Sequence, residues 1–299
     1  MLDAWNGHPV VQTALQEASE ALGQDLAELI HQGPKEELAL TTNTQPVMLV
    51  AAIAAYRVWL AEGGKTPAYV AGHSLGEYSA LVASGVLSLT QAVPLVRLRA
   101  QAMQEAVVVG AGAMAAVLGL EAAKVVEICA QAQAGFAAGS GEVVQAANFN
   151  DPGQTVISGS KAGVDKACEM LKAAGAKRTL PLPVSAPFHC ALMKPAAERL
   201  RVALADVPLQ APTIPLINNI DVASPSGADD IRDALYRQAF GPVRWVEVIR
   251  AMQQRGVTHV VECGPGKVLA GMTPRIEASL QAAPLYDPAT LAQVQALLS

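Results

Sequence analysis

Aromatic side chains are scarce in this 299-residue chain, at 4% of its residues. A core without them must be built from small and aliphatic side chains, which suits helices packed closely on a sheet, and alanine is abundant. Cysteine is sparse as well. Cys129, Cys168, Cys190 and Cys263 lie far apart, form no C-x-x-C pair and offer no metal-ligand spacing. Reduced thiols in a cytoplasmic protein with no bound metal are the expectation. No block of one charge occurs, and the net charge of −5 argues against a general nucleic-acid binder. No apolar run of about 18 residues escapes polar interruption, so no membrane association is expected. The opening Met1-Leu2-Asp3-Ala4-Trp5 lacks the basic segment and apolar stretch of a secretory signal.

What the chain does have is 52% hydrophobic content over a length that allows one large domain or two linked ones. Helical spacing covers residues 9–22, 25–32 and 45–61, the last with Pro46 in its first turn. A short strand at 68–71 leads into a helix over 77–86, and another helix runs over 90–106 from Thr90 as N-cap. Residues 113–182 then read strand, helix, strand, strand, helix, strand. This β-α-β-β-α-β order predicts a ferredoxin-like domain over 112–183, inserted between 1–111 and 184–299. Beyond it, helices at 196–205, 231–238 and 243–254 and strands at 213–217 and 257–262 predict a mostly parallel sheet covered by helices.

The chemistry concentrates at Gly72-His73-Ser74-Leu75-Gly76, a G-x-S-x-G between strand and helix. That context is the one a nucleophile elbow requires: Ser74 projects above the sheet and helix N–H groups beside it can hold an oxyanion. The alternative is a glycine-rich βα turn with an N-capping serine. A serine nucleophile needs a base. Of the histidines, His8 and His31 read as surface residues, His259 as a core residue in a strand, and His73 as structural because its side chain diverges from Ser74. His189, in the proline-rich loop 181–189, is the candidate base, against a capping or surface role. Cys190 beside it points the other way on an extended chain. A hydrolase triad would add an acid between Ser74 and His189, where Asp151 and Asp165 are the loop candidates. Both fall in the inserted unit, which weakens the hydrolase reading and leaves a backbone carbonyl as an alternative orienter. Arg97 and Arg99 face different ways on one helix, so one of them can turn inward to bind a carboxylate; two surface arginines are the alternative.

The segment Gly72-His73-Ser74-Leu75-Gly76-Glu77-Tyr78-Ser79-Ala80 closely resembles the signature of malonyl-CoA:acyl-carrier-protein transacylases. The likeness continues through Arg99 with Met103-Gln104-Glu105-Ala106, Gly112-Ala113-Met114-Ala115-Ala116, Asn148-Phe149-Asn150, Pro187-Phe188-His189-Cys190, Asn218-Asn219 and Gly264-Pro265-Gly266-Lys267. It implies an α/β-hydrolase-like large domain with the ferredoxin-like insertion. It also implies Ser74 as nucleophile, His189 as base, the Leu75 N–H as oxyanion donor, Arg99 as partner of the malonyl carboxylate, and the Gln238 backbone carbonyl as the group that orients the histidine. Met103, Asn148 and Phe188 would line the substrate pocket. The implied partners are malonyl-CoA, a coenzyme A thioester serving as substrate and not as a resident cofactor, and acyl carrier protein. A monomer acting in fatty-acid synthesis is expected. Lys161, Lys166, Lys172, Lys177, Arg178, Lys194 and Arg199 are candidates for docking the acidic carrier.

The family opens with a strand and a loop of the type Phe-Pro-Gly-Gln-Gly-Ser-Gln, whereas this sequence opens at what resembles the segment after it. The expectation is a start at an internal methionine of a longer gene product, leaving the oxyanion site one donor short. The rival readings are a serine esterase or thioesterase, and an inactive truncated product that only binds carrier protein.

Overall fold

A computed structural model describes residues 1–5 and 7–299. The chain opens with helices α1 (Pro9–Leu22), α2 (Leu26–Gln32), α3 (Lys35–Ala39) and α4 (Thr41–Ala61). In α1 the buried Val11, Ala14, Leu15 and Ala18 repeat at helical spacing, and Gly23 ends the helix in the left-handed conformation, φ 63°. Asp25 caps α2 by accepting the Glu28 N–H. Helix α4 begins earlier than its pattern suggests, so Pro46 lies inside it and not in its first turn. The polar start is held from outside, because Asn43 and Thr44 donate to the carbonyls of Glu37 and Leu38. By length and composition α4 could cross a bilayer, but 56% of that window is buried in the protein.

Strand β1 (Val70–Ala71) leads to α5 (Gly76–Ala83) and α6 (Leu89–Glu105). Ser88, not Thr90, caps α6: its hydroxyl accepts the Gln91 N–H while the Gln91 side chain accepts the Ser88 N–H. Then come β2 (Gly112–Leu118), α7 (Ala122–Ala134), β3 (Val144–Asp151), β4 (Gln154–Ser160), α8 (Lys161–Ala173) and β5 (Arg178–Pro181), in the order expected. The four strands form one antiparallel sheet, β3-β4-β2-β5. Its inner face packs on α7 and α8 around Val117, Ile128, Ile157, Val164 and Leu171.

The rest of the chain is α9 (Lys194–Ala205), β6 (Leu216–Ile217), α10 (Ala228–Phe240), α11 (Trp245–Gln254), β7 (His259–Cys263), α12 (Val268–Ile276), β8 (Gln281–Leu285) and α13 (Pro288–Leu297). The strands here are parallel, as alternating α/β segments predict. They form two separate pairs, β1-β6 and β7-β8, instead of the single sheet expected, because no strand among the described residues bridges the two. The largest core gathers α1, α2, α4, α5, α6, α9 and α10 around Leu49, Tyr78, Leu81, Met103 and Leu200.

Candidate active site

Ser74 sits at the sharp turn between β1 and α5 with φ 52°, a left-handed conformation that costs a non-glycine residue about 1–3 kcal/mol. Gly72 makes the turn possible, since a Cβ there would strike the Gly76 backbone. The Ser74 hydroxyl lies 2.6 Å from His189 Nε2. His189 also has positive φ, 60°, and its Nδ1 lies 3.0 Å from the Gln238 carbonyl and 3.2 Å from that of Gly241. Two carbonyl acceptors at Nδ1 place the proton there and leave the Nε2 lone pair facing the serine.

No carboxylate orients the imidazole among the described residues. Asp151 pairs with Arg275 at 3.2 Å and Asp165 with Lys161 at 2.7 Å. Burial, reinforced by the Arg99 charge, holds the His189 imidazole down to about 3, so it is neutral at ordinary pH.

Of the two arginines on α6, Arg99 turns inward, 3% exposed, and Arg97 reaches Gln24. Arg99 Nη1 donates to Gln45 Oε1 at 2.6 Å, and Nη2 to Ser74 Oγ at 3.2 Å and Gln238 Oε1 at 3.3 Å. Its Nε is buried with no hydrogen-bond partner among the described residues. The guanidinium therefore reaches the serine through Nη2, and no carboxylate among the described residues pairs with it. Met103 lies one turn further along α6, fully buried. Asn148, 7% exposed, sits at an irregularity of β3 and bridges to Val243. Phe188 packs against both the large core and the smaller cluster of Met114, Ala116, Ala147 and Val156. The Leu75 N–H precedes the first turn of α5, and no acceptor among the described residues takes it.

Behind the dyad lies a buried polar network that the sequence does not single out. Asn219 accepts the Ser74 N–H at 2.7 Å and donates to the Gly72 carbonyl at 2.7 Å. Gln238 Nε2 donates to the Ser74 carbonyl at 2.9 Å and to Glu77 Oε2 at 3.0 Å, and the Asn219 N–H donates to the same oxygen at 2.9 Å. Burial pushes the Glu77 carboxyl up to about 7 despite these donors. Gln45 is braced in turn by Thr41 at 3.0 Å. The signal available was a carboxylate in the first turn of an otherwise apolar helix, where the favourable helix dipole is a sufficient but different explanation.

The other histidines divide. His73 binds Asn150 at 2.9 Å and stacks edge-on with Trp245, which is structural. His8 caps α1 and His31 meets Asp3 at the surface. His259, expected in the core, is half-exposed on β7 and bonds Thr258, because β7 pairs on one side only. Cys190 is buried, donating to the Pro187 carbonyl. Among the described residues no group of His, Cys, Asp and Glu side chains could hold a metal ion.

Comparison with known proteins adds a second, independent line. Residues 7–283 match the family described as the acyl transferase domain. The chain is 51% identical over 292 residues to the malonyl CoA-acyl carrier protein transacylase of Escherichia coli (strain K12), covering 98% of this chain and 93% of that protein. The crystal structure of acyl-carrier-protein S-malonyltransferase from Burkholderia pseudomallei superimposes with TM-score 0.94 at 58% identity, over 98% of this chain and 94% of that one. A malonyl-transacylase solved in complex with its type II PKS acyl-carrier protein superimposes with TM-score 0.94 at 48% identity, over 98% and 93%.

Proposed function

This chain belongs to the acyl transferase domain family, and from that membership we propose that it transfers malonyl groups from malonyl-CoA to the phosphopantetheine thiol of acyl carrier protein through a malonyl-serine ester. The observation that carries the reading is Arg99: a buried guanidinium, unpaired by any carboxylate, whose Nη2 lies 3.2 Å from the Ser74 hydroxyl. A cation in that position has no use for a neutral acyl chain and suits one that ends in a carboxylate.

His189 Nε2 takes the Ser74 proton as Oγ attacks the thioester carbonyl, and Nδ1–H stays on the Gln238 and Gly241 carbonyls as the imidazole becomes charged. The Leu75 N–H faces the developing oxyanion. Collapse expels the coenzyme A sulfur, which takes the proton back from Nε2. Acylation removes the acceptor that Ser74 Oγ offers Arg99, so Nε and Nη2 are free to grip the malonyl carboxylate along one edge. The carrier thiol then attacks the ester carbonyl with Nε2 again accepting the proton; collapse breaks the acyl–Oγ bond and returns that proton to Ser74 Oγ, leaving the malonyl thioester on the carrier. Coenzyme A enters and leaves as part of a substrate, and no resident cofactor is needed. The absence of a triad acid weighs against the esterase reading.

We read residues 112–183 as the ferredoxin-like insertion and the remainder as the hydrolase-like body; the strand order β3-β4-β2-β5 and its separate core support that division. Met103, Asn148 and Phe188 are assigned to the acyl pocket. Of the cations suggested for carrier docking, Lys161 and Arg199 already pair with Asp165 and Glu105.

The test is an intact-mass spectrum after brief exposure to malonyl-CoA, with Ser74→Ala in parallel. A malonyl-sized gain confined to the parent is the expected result, and no gain in the folded parent would sink the reading.

A further inference from the structure

Glu77 is 1% exposed, in the first turn of α5, and touches none of the reacting atoms. A carboxylate at a helix N-terminus is stabilised by the dipole from a solvated position too, and the dipole is too weak to offset its desolvation, so the dipole does not account for its burial. Desolvating a carboxylate is expensive, and it persists inside a protein where hydrogen bonds compensate it.

We propose that Glu77 is a positioning residue, one carboxylate oxygen that fixes Ser74 and His189 relative to each other through Gln238 and Asn219. The inference rests on the acyl-transfer reading for its assay and on geometry for its argument. Oε2 accepts both the Gln238 side-chain amide, at 3.0 Å, and the Asn219 backbone N–H, at 2.9 Å. The same Gln238 amide nitrogen holds the Ser74 carbonyl, and the Gln238 backbone carbonyl holds the His189 ring. Asn219 grips the elbow on its other side, at the Ser74 N–H and the Gly72 carbonyl. Two residues thus clamp three backbone atoms of the elbow and, through the Gln238 backbone carbonyl, one nitrogen of the base; both are anchored on a single oxygen, Gln238 by its side-chain amide and Asn219 by its backbone N–H. Ser74 and His189 both stand at positive φ, a conformation that persists only where the surroundings enforce it. Without the anchor, Gln238 and Asn219 can turn, and the 2.6 Å approach of Oγ to Nε2 loses its support from both sides.

Glu77→Met removes the acceptor at similar volume, and Glu77→Gln restores a carbonyl oxygen. Single-turnover acylation of Ser74 by malonyl-CoA, with thermal melts to verify folding, should show Glu77→Met slowed about 100-fold, as for a misplaced reacting group. Glu77→Gln should recover to within about tenfold of the parent, one hydrogen bond's worth. The half-saturating malonyl-CoA concentration should stay within about threefold in both Glu77 variants, since Arg99 keeps its shorter bond to Gln45 when Gln238 turns. Equal rates for parent and Glu77→Met, or a loss confined to half-saturation, overturn the proposal. If Glu77→Met does not fold, Glu77→Gln combined with Gln238→Leu decides: a double variant no slower than its slower single supports one shared clamp, and additive losses overturn it. A phosphonate reagent on Ser74, which needs neither malonyl-CoA nor Arg99, is run in parallel. The same order of phosphonylation rates supports the positioning even if the parent takes no malonyl group, an outcome that overturns only the acyl-transfer reading. Equal phosphonylation rates overturn the positioning.

Discussion

On the proposed reading, Arg99 is where selectivity is decided. Its guanidinium hydrogen-bonds Gln45 and Gln238, both neutral, so on that reading a substrate carboxylate is the first to pair with it directly. Arg99→Ala should slow acylation by malonyl-CoA about 10–100-fold more than acylation by acetyl-CoA, the worth of a charge-assisted pair. Single-turnover rates with both thioesters check this, and equal losses would remove the assigned role. The two buried titratable groups set the pH behaviour. The folded protein keeps His189 neutral down to about 3 against an ordinary 6.5, so the unfolded chain binds the proton first and stability is lost as pH falls below 6.5. Glu77 is the reverse case: protonated up to about 7 when folded against an ordinary 4.5, it withdraws stability as pH rises through 4.5 to about 7. Arg99 and Asp221 face it with opposite effects, Arg99 lowering and Asp221 raising its pKa. Because a protonated carboxyl is the weaker acceptor for Gln238 and Asn219, the acylation rate should fall as pH drops below about 7. Glu77→Gln should lack that limb in a stopped-flow pH profile; persistence of the limb would assign it to another group. The helix pattern leaves Arg97 and Arg99 open and the family resemblance singles out Arg99, whereas Ser74 and His189 were legible in the sequence because a motif and a rigid loop mark them. Glu77, Asn219 and Gln45 were not, since what distinguishes them is burial and a partner distant in sequence.

At the scale of elements, the capping of α6 matters because that helix carries Arg99 and Met103. Ser88→Ala removes one side of the capping box and should cost about 1 kcal/mol in urea denaturation while leaving single-turnover acylation unchanged. An acylation loss as large as that of Arg99→Ala would mean that the cap also sets the angle of the arginine. The boundary itself shows how local signals compete. Ser88 and Thr90 are both good caps, and only the S-x-x-Q spacing to Gln91 separates them. Helix α4 shows tertiary override: Thr41 to Thr44 are poor helix formers, yet bonds from Asn43 and Thr44 to the preceding segment extend the helix past Pro46. Strand β8 carries Pro284, which cannot donate to a ladder. It is tolerated because β8 pairs with β7 alone.

The whole molecule joins two cores at the site. Ser74 and Arg99 come from the large body, while His189 follows the strand by which the chain leaves the smaller sheet. Phe188 packs on both cores, and β3 is tied to the body through the Phe149 N–H to Val243 carbonyl bond, 2.9 Å, and the Val243 N–H to Ala147 carbonyl bond, 2.8 Å. The alternation of strand and helix over 112–183 made the order of these elements readable along the sequence, although β2 pairs with β4 and β5 across intervening segments. The split of the parallel strands into two pairs depends on long-range neighbours and was not readable. The division has an energetic consequence. Leu171 is fully buried in the core between α7, α8 and the antiparallel sheet and contributes nothing to the large core. Leu171→Ala should lose about 2–5 kcal/mol in that unit through lost burial and a residual cavity. Native-state hydrogen exchange should then quicken across β2, β4 and α8 while the amides of α4, α5 and α6 keep their parental rates, because the large core closes without the smaller unit. His189 Nε2 still meets Ser74, since its Nδ1 is anchored on α10 and not on the smaller sheet, so acylation should survive at temperatures below the new transition. Uniform acceleration of exchange in both bodies would mean that the two cores open as one cooperative unit, held together by Phe188 and the Val243 bridge.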